Sequence, residues 1–178
     1  MNTGPVSTRY ATALLDHAIE KGEQETVYAK MKLLVAVFME VPELRRALQD
    51  PSIPGAEKVN IIRAACGHTL PPALDEMVAL IVKNEREEHM QFIAQRFIDL
   101  YRYRFRLQAG KLVPAVPVDK ETEEKLLSRV RHITGGELEI ETVVDPNIIG
   151  GFILNLDDYR WDASVTGELE RLKHSLVQ

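Results

Sequence analysis

The sequence predicts a mainly α protein, with an N-terminal six-helix bundle followed by a small α+β C-terminal domain. Three observations carry that reading. Through roughly the first hundred residues, apolar side chains recur at helical spacing in short runs divided by proline and glycine. After Gly110 the grammar changes, and prolines and β-branched residues appear together. Further on, "ELEIETVV" alternates apolar and acidic residues, the period of a strand with one wet face. The division is expected near Gln108 to Lys111, giving domains of residues 1–108 and 109–178.

Each element has its own signal. Ser7 or Thr8 is expected to cap the first helix, in which Ala11, Leu14, Leu15 and Ala18 recur until Gly22 ends it. The second carries Val27, Met31, Leu34, Val35 and Phe38 along one stripe. Pro42 suits the first turn of a third short helix, "PELRRALQD", which Pro51 stops. Pro54 opens a fourth through Ile61 and Ile62, closed near Gly67. Pro71 and Pro72 precede a fifth striped by Leu74, Met77, Val78 and Ile81. The sixth begins after "NEREEH" and runs through Phe92, Ile93, Phe97, Leu100 and Tyr101. Short helices with short joints must bury their stripes against one another, which makes a bundle.

In the second part, "KLVPAVPV" (111–118) reads as an edge strand because of its prolines. "DKETEEKLLSRVRHITGG" returns to helical spacing, with Leu126, Leu127, Val130 and Ile133 in phase and Gly135-Gly136 as the stop. In "ELEIETVV", Leu138, Ile140 and Thr142 face one way and Glu137, Glu139 and Glu141 the other. "GFILNL" is a second strand, and Asp157-Asp158 turns the chain before "YRW". Asp162 or Ser164 then starts a final helix carrying Val165, Leu169, Leu172 and Leu176.

Composition narrows the function. The chain has 178 residues, 45% of them hydrophobic, with a net charge of −5, so overall charge gives no support for nonspecific nucleic-acid binding. Cys66 is the single cysteine, so no intrachain disulfide can form, which fits a reducing compartment. The N-terminus lacks the pattern of a secretory signal, and no apolar run approaches the roughly 20 residues of a membrane span. Direct membrane insertion is not expected; a partner must hold the chain at any membrane where it works.

Two stretches invite a site. In "VDPNIIGGF", Gly150-Gly151 could cradle a phosphate, but a Walker loop needs a Lys-Ser or Lys-Thr end opening a helix, and no lysine follows until Lys173. A dinucleotide fingerprint needs a helix start just after its glycines, and here a strand follows. The better reading is a turn at Asp145-Pro146-Asn147 followed by glycines that permit unusual dihedrals or close backbone approach. "YRYRFR" (101–106), if extended, would set aromatics against arginines as single-strand nucleic-acid binders do. It continues the phase of the sixth helix, however, and reads as a helix end. The five histidines lie far apart and Cys66 has no nucleophile signature, so no catalytic, cofactor or metal site is expected.

The stretch "VDPNIIGGFILNLDDYRWDASVTGELERLK" closely resembles the signature of the delta subunit of F-type ATP synthases, the family of the mitochondrial oligomycin-sensitivity-conferring protein. Asp145, Ile148, Gly150, Gly151, Asp162, Ser164, Leu169 and Leu172 match the positions by which the family is known. Weaker matches are "RYATALLDHA", "LQDPSIPGAEKVNII" and "LIVKNERE". Pro117-Val118 stands where the family often has Ser-Ala, and Asp157-Asp158 occupies a turn that often carries glycine.

The resemblance implies a non-catalytic stator subunit, one copy per complex, that joins the catalytic head to the peripheral stalk and binds no nucleotide. It implies a groove for the N-terminal helix of an alpha subunit involving the first and fifth helices. Tyr10, Ala13 and Leu14 are the candidates on the first, and Met77, Val78 and Ile81 on the fifth. The b-type stalk subunits are expected on the strands and last helix of the C-terminal domain. The place implied is the cytoplasmic face of a bacterial inner membrane. The alternative is a free-standing helical adaptor, or a nucleic-acid binder using 101–106.

Overall fold

Proline marks where three of the early helices begin. In a computed structural model that describes residues 4–134, 137–156 and 159–176, the chain divides into two units, Met1–Tyr103 and Arg104–Gln178. The first contains α1 (Gly4–Glu20), α2 (Gln24–Glu40), α3 (Pro42–Gln49), α4 (Gly55–Ala65) and α5 (Pro72–Lys83). A 3-10 turn (Glu87–His89) then leads into α6 (Met90–Phe105). Pro42 and Pro72 stand in the first turn of their helices, where the missing N–H costs nothing. α1 is already helical at Gly4, ahead of Ser7. Ser7 is buried inside α1 and caps nothing, contrary to expectation.

Each helix gives one stripe to a shared core. Leu14, Met31, Leu34, Leu48, Ile62, Leu74, Ile81, Met90, Ile93 and Phe97 are its largest fully buried side chains in this unit. Tyr101 stacks on Tyr28 with ring centroids 4.1 Å apart, and the Arg102 Nε donates to the Tyr28 hydroxyl at 3.0 Å. The 101–106 stretch is thus a helix end, with Tyr101 committed to packing and Arg106 in a left-handed conformation just beyond α6.

Polar links tie the helices across the core. The uncapped start of α5 is satisfied by Glu23, whose carboxylate accepts the Ala73 N–H at 2.9 Å. Arg63 grips Asp75 through Nε and Nη2 at 2.7 and 2.9 Å, a fork that holds the Asp75 carboxyl below its ordinary range. Lys58 of α4 donates to Glu87 at 2.6 Å, with the Lys58 side chain buried and that of Glu87 half-buried. The second Glu87 oxygen is buried without a hydrogen-bond partner, so Lys58 is the contact that compensates this carboxylate.

The second unit is a four-stranded sheet with two helices. β1 (Leu107–Pro114) is followed by α7 (Lys120–Thr134), β2 (Glu137–Thr142), β3 (Phe152–Leu156), β4 (Tyr159–Asp162) and α8 (Val165–Leu176). The order is β2-β1-β3-β4, with β1 and β2 parallel and the other pairs antiparallel. One expectation is corrected here. The first strand begins at Leu107 and is central, because its only proline, Pro114, falls at its last residue and leaves the preceding N–H groups free to pair. "YRW" belongs to a strand of its own, β4. The expected stop at Gly135-Gly136, the turn at Asp157-Asp158, and the side chains of Ile133, Leu172 and Leu176 lie outside the described residues.

One face of this sheet is covered by α7. Leu112, Val130, Leu154 and Leu156 form the buried cluster, with Leu126, Leu138, Ile140 and Phe152 packed against it. The Thr142 hydroxyl bonds the Glu123 carboxylate on the same side.

The family-like signature builds the corner between sheet and α8. Asp145 accepts from the Asn147 backbone N–H at 3.0 Å and its side-chain amide at 2.8 Å, and its own N–H bonds Pro114. Ile148 is half-buried behind this turn. Gly151 has φ +79°, and a Cβ there would lie 2.2 Å from the Ala163 carbonyl oxygen. Asp162 Oδ1 accepts from the Ser164 hydroxyl at 2.6 Å and its N–H at 3.0 Å. The Ser164 hydroxyl in turn receives the Gly167 N–H at 3.0 Å, capping α8. That hydroxyl contact, more than any other, holds the Asp162 carboxyl below the usual range.

Two outcomes test these constraints. Gly150→Ala, at φ +71° with only Val165 Cγ2 nearby at 3.2 Å, should cost about 1–2 kcal/mol from backbone strain. Gly151→Ala should cost clearly more, since it adds a clash with backbone, as read by Trp161 emission during urea unfolding. In the first unit, Lys58→Met should destabilise by about 3–5 kcal/mol by stranding Glu87. Adding Glu87→Leu to that variant should recover most of the loss in a thermal melt; equal melts for single and double variants would contradict this role.

Candidate interaction surfaces

A groove runs between α1 and α5. Val6, Arg9, Tyr10 and Ala13 line it from α1, and Met77, Leu80, Asn84 and Arg86 from α5 and the turn after it, around about 670 Å³. The two walls are joined at one end by the Asn84 amide, which donates to the Tyr10 hydroxyl at 3.0 Å. Further along, Glu76 of α5 takes His17 at 2.9 Å and Lys21 at 2.7 Å from α1. Those contacts hold the Glu76 carboxyl below its ordinary range, with the Lys21 bond the largest cause.

Of the six groove residues named from sequence, Tyr10, Ala13 and Met77 line it. Leu14, Val78 and Ile81 are corrected: all three are fully buried and belong to the core. Helical spacing explains the split. Positions 6, 10 and 13 share one face of α1, whereas 11, 14, 15 and 18 face inward. On α5, 77, 80 and 84 line the groove, while 74, 78 and 81 point into the core. Val6 and Leu80 were missed, although Leu80 is an apolar residue out of phase with the core stripe and 44% exposed, a signal visible in the sequence.

The second unit offers apolar surface in two places. Thr122, Lys125, Leu126 and Arg129 of α7 border a groove of about 450 Å³ with Phe152, Trp161 and Ala163. Trp161 meets Phe152 edge to face at 6.2 Å. Elsewhere, Ile149 is 66% exposed and Leu169 is 58% exposed, and Val165 of α8 is also exposed. Of the strand residues read as apolar, Leu154 and Leu156 are buried and Leu138, Ile140 and Phe152 half-buried. Trp161 was overlooked because β4 was not foreseen.

Reactive chemistry finds little to work with. The Gly150 N–H is taken by the Ile148 carbonyl, and its own carbonyl receives Val165, so this loop spends polar groups on its own corner. Burial pushes the Cys66 thiol up to about 11, which keeps it protonated and unreactive. Among the described residues there is no group of three His, Cys, Asp or Glu suited to a metal ion, and no helix long and apolar enough to cross a membrane.

Comparison with known proteins agrees over nearly the whole chain. The family model of the ATP synthase delta (OSCP) subunit matches residues 6–176. An ATP synthase subunit delta of Bacteroides thetaiotaomicron is 37% identical over 99% of this chain and 96% of the relative. Its counterpart in Phocaeicola vulgatus is 38% identical over the same shares. A chain in the cryo-EM structure of the Toxoplasma gondii mitochondrial ATP synthase hexamer superposes with a TM-score of 0.60 at 22% identity, covering 97% of both chains, and so shares the fold. The chain therefore belongs to the ATP synthase delta (OSCP) family, the non-catalytic stator subunits of that enzyme.

Proposed function

We propose that the two units divide the stator's work. The six helices of the first unit act as one bundle and hold the catalytic head. The second unit holds the b-type peripheral stalk. One copy serves each complex, at the cytoplasmic face of a bacterial inner membrane and attached only through its partners.

The observation that carries this reading is the α1–α5 groove. Apolar residues there lie out of phase with the core, which leaves a shallow channel between two helices suited to a third. An amphipathic helix from the N-terminus of an alpha subunit supplies side chains at that spacing, anchored on Tyr10, Ala13, Met77 and Leu80. In the second unit, Ile149, Val165 and Leu169 leave apolar surface for the stalk. Nucleic acid as an alternative partner loses its basis, because Tyr101 is buried in the first unit's core and Arg102 is bound to Tyr28. The glycine loop is likewise engaged in its own corner, so no nucleotide partner is assigned to it.

Titrating a peptide of the alpha N-terminus by calorimetry tests the groove. Tyr10→Asp and Leu80→Asp should each weaken binding at least about tenfold, roughly 1.4 kcal/mol, with Leu80→Asp melting like the parent chain and Tyr10→Asp slightly lower through loss of the Asn84 bond. Unchanged affinity in both would remove the helix from this groove. Ending the chain after Phe105 should abolish stalk binding while the helical unit still binds that peptide. A truncated protein retaining full stalk affinity would overturn the division of labour.

A further inference from the structure

One turn serves two cavities of the first unit. Asn84 and Arg86 line the α1–α5 groove, while Glu85, Glu87 and Glu88 border a second cavity of about 610 Å³, shared with Lys58 and the loop between α3 and α4. Two of the family-like stretches meet here, since Lys58 belongs to "LQDPSIPGAEKVNII" and the turn to "LIVKNERE".

The turn closes α5 in a way that ordinarily selects glycine. The Glu85 N–H bonds the Val82 carbonyl, and the Arg86 N–H reaches back to the Ile81 carbonyl, both at 3.0 Å. That pair of bonds needs a left-handed residue just past the helix end, a place that glycine usually fills. Here it is Glu85, at φ +55°. A side chain in this conformation is strained, and such strain persists only where the surroundings over-determine it. Two anchors flank it. On the groove side the Asn84 amide donates to the Tyr10 hydroxyl at 3.0 Å, an exposed bond that water can replace. On the far side Lys58 holds Glu87 at 2.6 Å, and the second Glu87 oxygen is buried without a partner. The Lys58 bond is the stronger constraint, because releasing it would strand a largely buried carboxylate.

We propose that the Lys58–Glu87 pair is a positioning device for the groove, holding the strained turn in the conformation that sets Asn84 and Arg86 along the groove wall. The inference rests on the helix-binding reading of that groove. Neither Lys58 nor Glu87 lines it, so their influence on a docked helix passes through the backbone from Asn84 to Glu87. Coupling of this kind needs an element with two arrangements that both sites bias. The turn is that element. Held by Lys58, it presents Arg86 at the groove; released, Glu85 leaves the left-handed region and carries Asn84 and Arg86 out of place.

Lys58→Met with Glu87→Leu removes one cation and one anion, so net charge is unchanged and no carboxylate is stranded. In the full chain this double variant should melt close to the parent, yet bind a peptide of the alpha N-terminus about fivefold more weakly by calorimetry. Adding Glu85→Gly should restore the affinity, because glycine takes the left-handed conformation without an anchor. A merely structural pair would show neither the loss at matched melting temperature nor the rescue. Glu87→Gln, which keeps the shape and loses the charge, should give a smaller loss with the same rescue. Parental affinity in both variants, or a loss that Glu85→Gly leaves in place, would overturn the positioning role. No binding by the parent chain would overturn the groove reading instead, and the Asn84 side-chain amide, followed by nuclear magnetic resonance, then decides the positioning role without a partner. Its resonance should move in the double variant and return with Glu85→Gly; an unmoved resonance would overturn the proposal.

Discussion

A short helix in water is marginal by itself, and every helix of the first unit depends on burying one apolar stripe against its neighbours. Leu14, Met31, Leu74, Ile81 and Phe97 reach zero exposure because α1, α2, α5 and α6 all turn their stripes to one centre. Once that phase is set, whatever is apolar and out of phase must lie at the surface. Tyr10, Ala13 and Leu80 are such residues, and they meet because α1 and α5 lie side by side. The groove of this unit is therefore a remainder of its core.

Polar groups serve the same packing. Glu23 caps α5 from the turn between α1 and α2, Arg63 holds Asp75 across α4 and α5, and Lys58 reaches Glu87 at the start of the approach to α6. Each joins two elements; Glu23 satisfies an orphan N–H of α5, and Lys58 compensates a largely buried carboxylate. Groups that might do chemistry are spent on structure: the Cys66 thiol is raised by burial, and Asp162 is occupied with the start of α8. A stator subunit requires stiffness, and the fixed polar links within the first unit suit that role.

In the second unit α7 covers one face of the sheet, and the buried cluster among the described residues is Leu112, Val130, Leu154 and Leu156. Surface left at Trp161, Ile149, Val165 and Leu169 gains by being covered. The corner at Gly151 matters in this setting. It brings the loop before β3 against the residues that start α8, so the last helix is fastened there by backbone contacts and a serine cap.

Sequence alone determined the elements whose signals are local. Helical phase and the positions of Pro42, Pro54 and Pro72 placed five of the early helices, and the alternation of "ELEIETVV" placed β2, because spacing and φ restriction act within a few residues. The family-like corner was also legible as a turn, since glycine and Asx-Pro chemistry are local. Tertiary structure decided the rest. Ser7 lies within α1 and takes no capping role, and β1 became central because only pairing partners distant in sequence define an edge. Leu14, Val78 and Ile81 were apolar on the right helices but went inward, and Leu80 took their place at the groove. Which of two adjacent stripes faces the core depends on where the other helices lie. No single helix carries that information, whereas its own dihedral and spacing preferences are written in its residues.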